Sequence, residues 1–143
     1  MKRLSLKNSI EINASVSRVW EALTKPELIK KYLFGTETIS DWKVGNPITF
    51  TGEWEGKKYE DKGTILKLDN EKTFEYTYWS SMSGKPDVPE NYLTITFELK
   101  EKDGKTLLTL KNSGFSDKSE MEHSSENWNQ VLKGLKEVAE SKT

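Results

Sequence analysis

Aromatic rings are the chain's main chemical resource: five Trp, five Tyr and five Phe. Each brings a large apolar area, and a buried Tyr or Trp also needs a partner for its O–H or N–H. Phe50, Trp54, Tyr76, Tyr78, Phe97, Phe115 and Trp128, with Leu132 and Leu135, occupy strand and helix positions that can face one another. Such a wall would suit a flat, partly polar aromatic molecule of polyketide or flavonoid type, or a lipid. The same residues would equally fill a core, and their pattern alone does not separate the two readings.

The titratable groups are less suggestive. His123, the single histidine, stands beside Glu122 and Glu126 near the start of a helix. A metal ion needs converging ligands, and this set reads better as a solvated first turn. As a general acid or base, His123 has no identifiable nucleophile or orienting partner. Glu53 with Glu55, and Glu60 with Asp61, could be imagined as a two-carboxylate hydrolytic pair. Glu53 and Glu55 share the strand face opposite Phe50 and Trp54, so surface charge is the expectation for these acids. No cysteine is present, which removes disulfides, thiolate metal sites and cysteine nucleophiles. The glycines form no phosphate-binding loop. No metal, cofactor or catalytic set is expected.

Lysine and arginine number 22 against 23 acidic residues, a net charge of −1, which disfavours nucleic acid as a partner because phosphate binding needs a positive field. Met1-Lys2-Arg3 begins like a signal peptide, but Ser5, Lys7, Asn8 and Ser9 interrupt any apolar stretch. No segment has the roughly 18 apolar residues of a membrane span. The expected setting is cytoplasmic, without membrane insertion, as one domain over 1–143 that is a monomer or weak dimer.

The element that must position the rings is the last one. From Ser119 to Ser141, Val138, Val131, Leu135, Trp128, Ala139 and Leu132 fall in one arc of a helix about 120° wide, with Trp128 expected to be mostly buried. Ser119 and Glu122 fit a capping box. Gly134 sits beside the stripe, marking the close approach of a strand or a ligand. At the other end, Leu4, Leu6, Ile10 and Ile12 alternate as a first strand. Ser15 caps a helix carrying Val16, Val19, Trp20 and Leu23, with Arg18 where a capping box would want Glu. Thr24 and Glu27 then suggest a second box around Pro26, opening a short helix that stops at Gly35. From Glu37 to Lys111 the period is two, with strands expected at Glu37–Ser40, Pro47–Trp54, Tyr59–Leu68, Thr73–Ser80, Asn91–Lys100 and Thr106–Lys111, separated by turns such as Lys102-Asp103-Gly104-Lys105. Ser81–Glu90, with two prolines and Gly84, reads as a loop that could act as a mobile lid.

The run Val19-Trp20-Glu21-Ala22-Leu23-Thr24-Lys25-Pro26-Glu27, the closing Asn112-Ser113-Gly114-Phe115, and Trp128-Asn129-Gln130-Val131-Leu132-Lys133-Gly134-Leu135 resemble the activator of heat-shock protein 90 ATPase homologue-like family, within the START and Bet v-type superfamily. The resemblance runs from about Ser9 to Glu140. It departs at Asn112, where a histidine is often found, and at Asn127, where glycine is often found. It implies an α+β helix-grip fold: a curved antiparallel sheet wrapped around a long C-terminal helix, two short helices after the first strand, and an apolar pocket between sheet and helix. Three functions follow as expectations. The first is non-catalytic binding of a small hydrophobic or aromatic molecule. The second is a chaperone-interacting module; the third is a cyclase or hydrolase of the same superfamily using tyrosine hydroxyls as acids.

Overall fold

A computed structural model describes residues 4–33, 35–80, 85–115 and 117–141, the Trp54 side chain excepted. In chain order they form β1 (Leu4–Ile12), α1 (Val16–Thr24), α2 (Pro26–Tyr32), β2 (Glu37–Ser40), β3 (Pro47–Trp54), β4 (Lys57–Asp69), β5 (Thr73–Ser80), a 3-10 turn (Pro89–Asn91), β6 (Leu93–Lys102), β7 (Lys105–Phe115) and α3 (Lys118–Glu140). The strands make one antiparallel sheet in the order β1-β7-β6-β5-β4-β3-β2.

Local chemistry accounts for this topology. Asp103 and Gly104 both adopt positive φ, 52° and 78°, and join Lys102 to its register partner Lys105. This two-residue turn matches the twist of the strands it connects. Register shifts at Leu4/Ser5 in β1 and Ile65/Lys67 in β4 add local bending. On the inner face Ile12, Ile48, Ile65, Ile95, Leu108 and Leu110 are sealed from water, as are Phe115 of β7 and Leu135 of α3. Rings continue this core, Phe74 packing against Trp20, Trp42, Tyr76 and Phe97.

The helix ends differ from expectation in instructive ways. α3 is capped by Asp117, whose carboxylate accepts from the Ser119 N–H at 2.7 Å, so the Ser119–Glu122 box does not form. Thr24 is the last residue of α1, its hydroxyl donating to Trp20 O at 2.8 Å. Lys25 therefore holds the cap position of α2 without a side-chain bond, and Pro26 supplies the start instead. Arg18 has a long-range role. Its guanidinium donates to the carbonyls of Ala139, Val138 and Ser141 at 3.3, 3.1 and 3.1 Å, satisfying the unpaired C-terminal end of α3 and its negative dipole.

Gly134 marks helix against helix. A Cβ placed there would stand 3.0 Å from Tyr32 Cβ and 3.7 Å from Tyr32 Cα, so the neighbour is α2 rather than a strand or a ligand. β7 also runs past Lys111 to Phe115, because Ser113 and Phe115 pair with β1 and Ser113 with Thr94 of β6.

Candidate functional site

Between the inner face of the sheet and the N-terminal half of α3 lies a cavity of about 660 Å³. Tyr76, Tyr78, Leu93 and Ile95 of β5 and β6 form its floor. Phe50 and Glu53 of β3 and Tyr59 and Asp61 of β4 make one side, and Leu33 and Thr36 close it beyond α2. From α3 come His123, Ser124, Asn127, Trp128 and Val131, and from β7 Asn112. A void of about 20 Å³ continues beneath Trp128 and Val131 toward Phe97 and Phe74, room for little more than a water.

Strand parity explains why these side chains converge. In β4 Tyr59, Asp61, Gly63 and Ile65 share a face, and in β7 Leu108, Leu110 and Asn112 do. Asp61 is thus carried inward, 9% exposed, and accepts from the Tyr78 O–H at 2.5 Å. Gly52, register partner of Tyr59, has no side chain; a Cβ there would meet the Tyr59 hydroxyl at 2.3 Å. The phenol lies over that space and shares a 2.5 Å hydrogen bond with Thr36. Asn112 is 1% exposed, and its Oδ1 has no hydrogen-bond partner among the described residues.

Burial drives the electrostatics. It pushes the Tyr78 hydroxyl well above the ordinary phenol value, and the adjacent Asp61 carboxylate adds to the shift. Tyr76 is raised by burial alone. Acids that reluctant to ionise are poorly matched to proton donation near neutral pH.

Of the residues expected to line a pocket, Phe50, Tyr76, Tyr78 and Trp128 meet at the cavity. Trp128 is half-buried rather than enclosed, its ring edge-on to Phe97 at 5.8 Å. Phe97 reaches only the small void. Phe115, Leu132 and Leu135 are 0%, 3% and 0% exposed and belong to the packed core, because the α3 stripe turns toward β1, α1 and α2 below the cavity. The Trp54 side chain lies outside the described residues. The sequence predicts Asp61 on the surface and His123 in solvent. Asp61 is instead buried in the wall, while His123 is exposed yet lines the cavity. The shared parity of Asp61 with Ile65, and of Asn112 with Leu110, was the available signal for the two polar wall residues. Among the described residues, no group of three or more His, Cys, Asp or Glu could hold a metal ion, and no helix is long and apolar enough to cross a membrane.

The model of the family described as Activator of Hsp90 ATPase homolog 1-like protein matches residues 13–140. The chain belongs to this family. Within the fold of the Activator of Hsp90 ATPase homolog 1-like family, the solution structure of ChR145 from Cytophaga hutchinsonii is 43% identical, with 98% of this chain and 96% of that one covered at a TM-score of 0.85. The Aha1 dimer from Colwellia psychrerythraea, 21% identical, covers 96% of each chain at 0.76. Ara h 8.0201, 13% identical, covers 96% of this chain and 97% of its own at 0.75; these two likenesses establish the shared α+β helix-grip fold. No curated protein matches the sequence significantly. Asn112 and Asn127 both stand in the cavity wall.

Proposed function

We propose that this domain binds a small, largely apolar molecule, lipid-like or aromatic, between the sheet and α3, without transforming it. The observation that carries this reading is the cavity itself. At about 660 Å³ it falls within the roughly 300–1,000 Å³ of small-molecule sites, whereas well-packed interiors leave few voids larger than a water. Rings from three strands and one helix supply apolar contact, and a few polar groups interrupt them. Tyr78 has its proton directed at Asp61, and its raised pKa favours a recognition role over acid catalysis.

Tryptophan fluorescence titration with flavonoid-like and fatty-acid-like compounds tests the proposal, since Trp128 lines the wall. Saturable micromolar binding of either class, weakened in Trp128→Ala, is the expected result. Absence of binding by both classes overturns it. The family match supports a second reading, docking on a chaperone ATPase, which a pull-down with the purified ATPase tests independently.

A further inference from the structure

We infer that the cavity selects an uncharged ligand bearing a hydroxyl donor and turns away anionic ones, with Asn112 as the acceptor that reads the hydroxyl. This rests on the ligand-binding reading above. A buried acceptor without a partner carries the full cost of its lost hydration, and Asn112 Oδ1 is such an atom in a side chain that is 1% exposed and lines the cavity. Across the sheet Asn112 is registered with Ile95, and Ile95 with Tyr76. Two strand spacings, about 10 Å, therefore separate Asn112 from Tyr76, with an isoleucine between them for an apolar ring to cover.

Four other polar wall groups are engaged with one another. Tyr78 donates to Asp61, and Tyr59 shares its hydrogen bond with Thr36. The charged side chains of the wall complete the selection. Asp61 is buried there and Glu53 stands at its exposed edge, while among the described residues the lining contains no lysine or arginine. Among the described lining residues His123 is the one basic group, and it is exposed. A ligand carboxylate would lose its hydration near Asp61 without gaining a buried cation, an unfavourable exchange. A hydroxyl aimed at Asn112 instead satisfies the unpaired oxygen.

Three stilbenes that differ in one para substituent, hydroxyl, methoxy or carboxylate, test this by isothermal titration against the wild type, Asn112→Leu and Asp61→Asn. The hydroxyl compound should bind wild type about tenfold tighter than the methoxy compound, the scale of one net hydrogen bond, and the carboxylate should bind most weakly. Asn112→Leu should abolish the hydroxyl advantage while keeping methoxy affinity, and Asp61→Asn should narrow the gap to the carboxylate. Equal binding of all three by the wild type, or a hydroxyl advantage that survives in Asn112→Leu, overturns the selectivity while leaving ligand binding intact. If none of the three binds, the selectivity is overturned, while the ligand-binding reading is decided separately by the titration with flavonoid-like and fatty-acid-like compounds. Should Asn112→Leu not fold, the hydroxyl-to-methoxy ratio of the wild type decides alone.

Discussion

Replacing Gly134 by leucine separates two meanings of a glycine in the buried region of α3. Tyr32 Cβ stands 3.0 Å from where the new Cβ must go, and Tyr32 is tethered by its hydroxyl donating to Ala22 O at 2.7 Å. The rest of the leucine side chain must therefore push α2 from α3. Overpacking of this kind costs about 1–3 kcal/mol. Leucine's better helix propensity returns somewhat less than about 1 kcal/mol. The net expectation is a destabilisation of about 1–2 kcal/mol, a fall in Tm of roughly 3–8 °C for a chain of this size. Gly134→Ala, which needs Tyr32 to give by only a few tenths of an ångström, should be close to neutral. Urea unfolding with an unchanged m-value measures both, and ligand affinity of the folded variant should be preserved because Gly134 does not line the cavity. A leucine variant as stable as wild type but weaker in binding would refute the reasoning, placing ligand space where the helices are held to touch.

Trp128→Ala should cost about 2–3 kcal/mol in urea unfolding, below the roughly 3–5 of an enclosed aromatic, because the ring is half-buried against Phe97. Arg18→Ala removes the guanidinium from the last carbonyls of α3 and should destabilise by about 1–2 kcal/mol, with faster amide exchange near Ala139; unchanged exchange there would discount the cap. At the acid end, Lys136 and the Asn13 N–H hold Glu140 below its ordinary value of 4.5, and Lys25 does the same for Glu21. Their contribution is therefore present above about pH 4.5 and is lost as pH falls further, so Glu140→Gln should flatten the acid limb of stability against pH. At the alkaline end, burial raises Tyr32, Tyr76 and Tyr78; their stabilisation is complete below the ordinary phenol value of 10.0 and declines as pH rises above it. Tyrosinate absorbance should show these rings ionising only together with unfolding.

Much of the fold was legible because the sheet has one wet and one dry face. Alternation alone places β2, β3 and β5 at their observed bounds, and the α3 stripe identifies Val131, Leu132, Leu135 and Ala139 as buried. Cap residues were less legible, since Ser119, Asp117 and Thr24 are all competent and only the path of the chain decides which is used. The end of β7 was hidden by Asn112-Ser113-Gly114, whose turn-like composition is overridden by strands on both sides. At the site, rings were easy to find, but packed ones such as Phe115 look the same in sequence as half-buried cavity walls such as Tyr78. Asp61 was obscured by its neighbour Glu60, although two-residue parity carries the first inward and the second out. In the loop expected to act as a lid, residues 81–84 lie outside the described residues. Beyond them Lys85 pairs with Glu120 at 2.7 Å, Lys62 with Asp87 at 2.6 Å, and Asn91 donates to Pro86 O at 2.8 Å. Those side chains tie the second half of the loop to α3 and β4, contacts that composition does not announce.

Ligand binding in the cavity is tested most directly by amide chemical-shift mapping during titration with para-hydroxystilbene. Saturable shifts should centre on Ile95, Asn112, Asn127 and Val131, whose residues line the cavity, while the exposed Ile39 and Leu66 stay in place. Shifts gathered around Ile39 and Leu66, or none at saturating ligand, would contradict it.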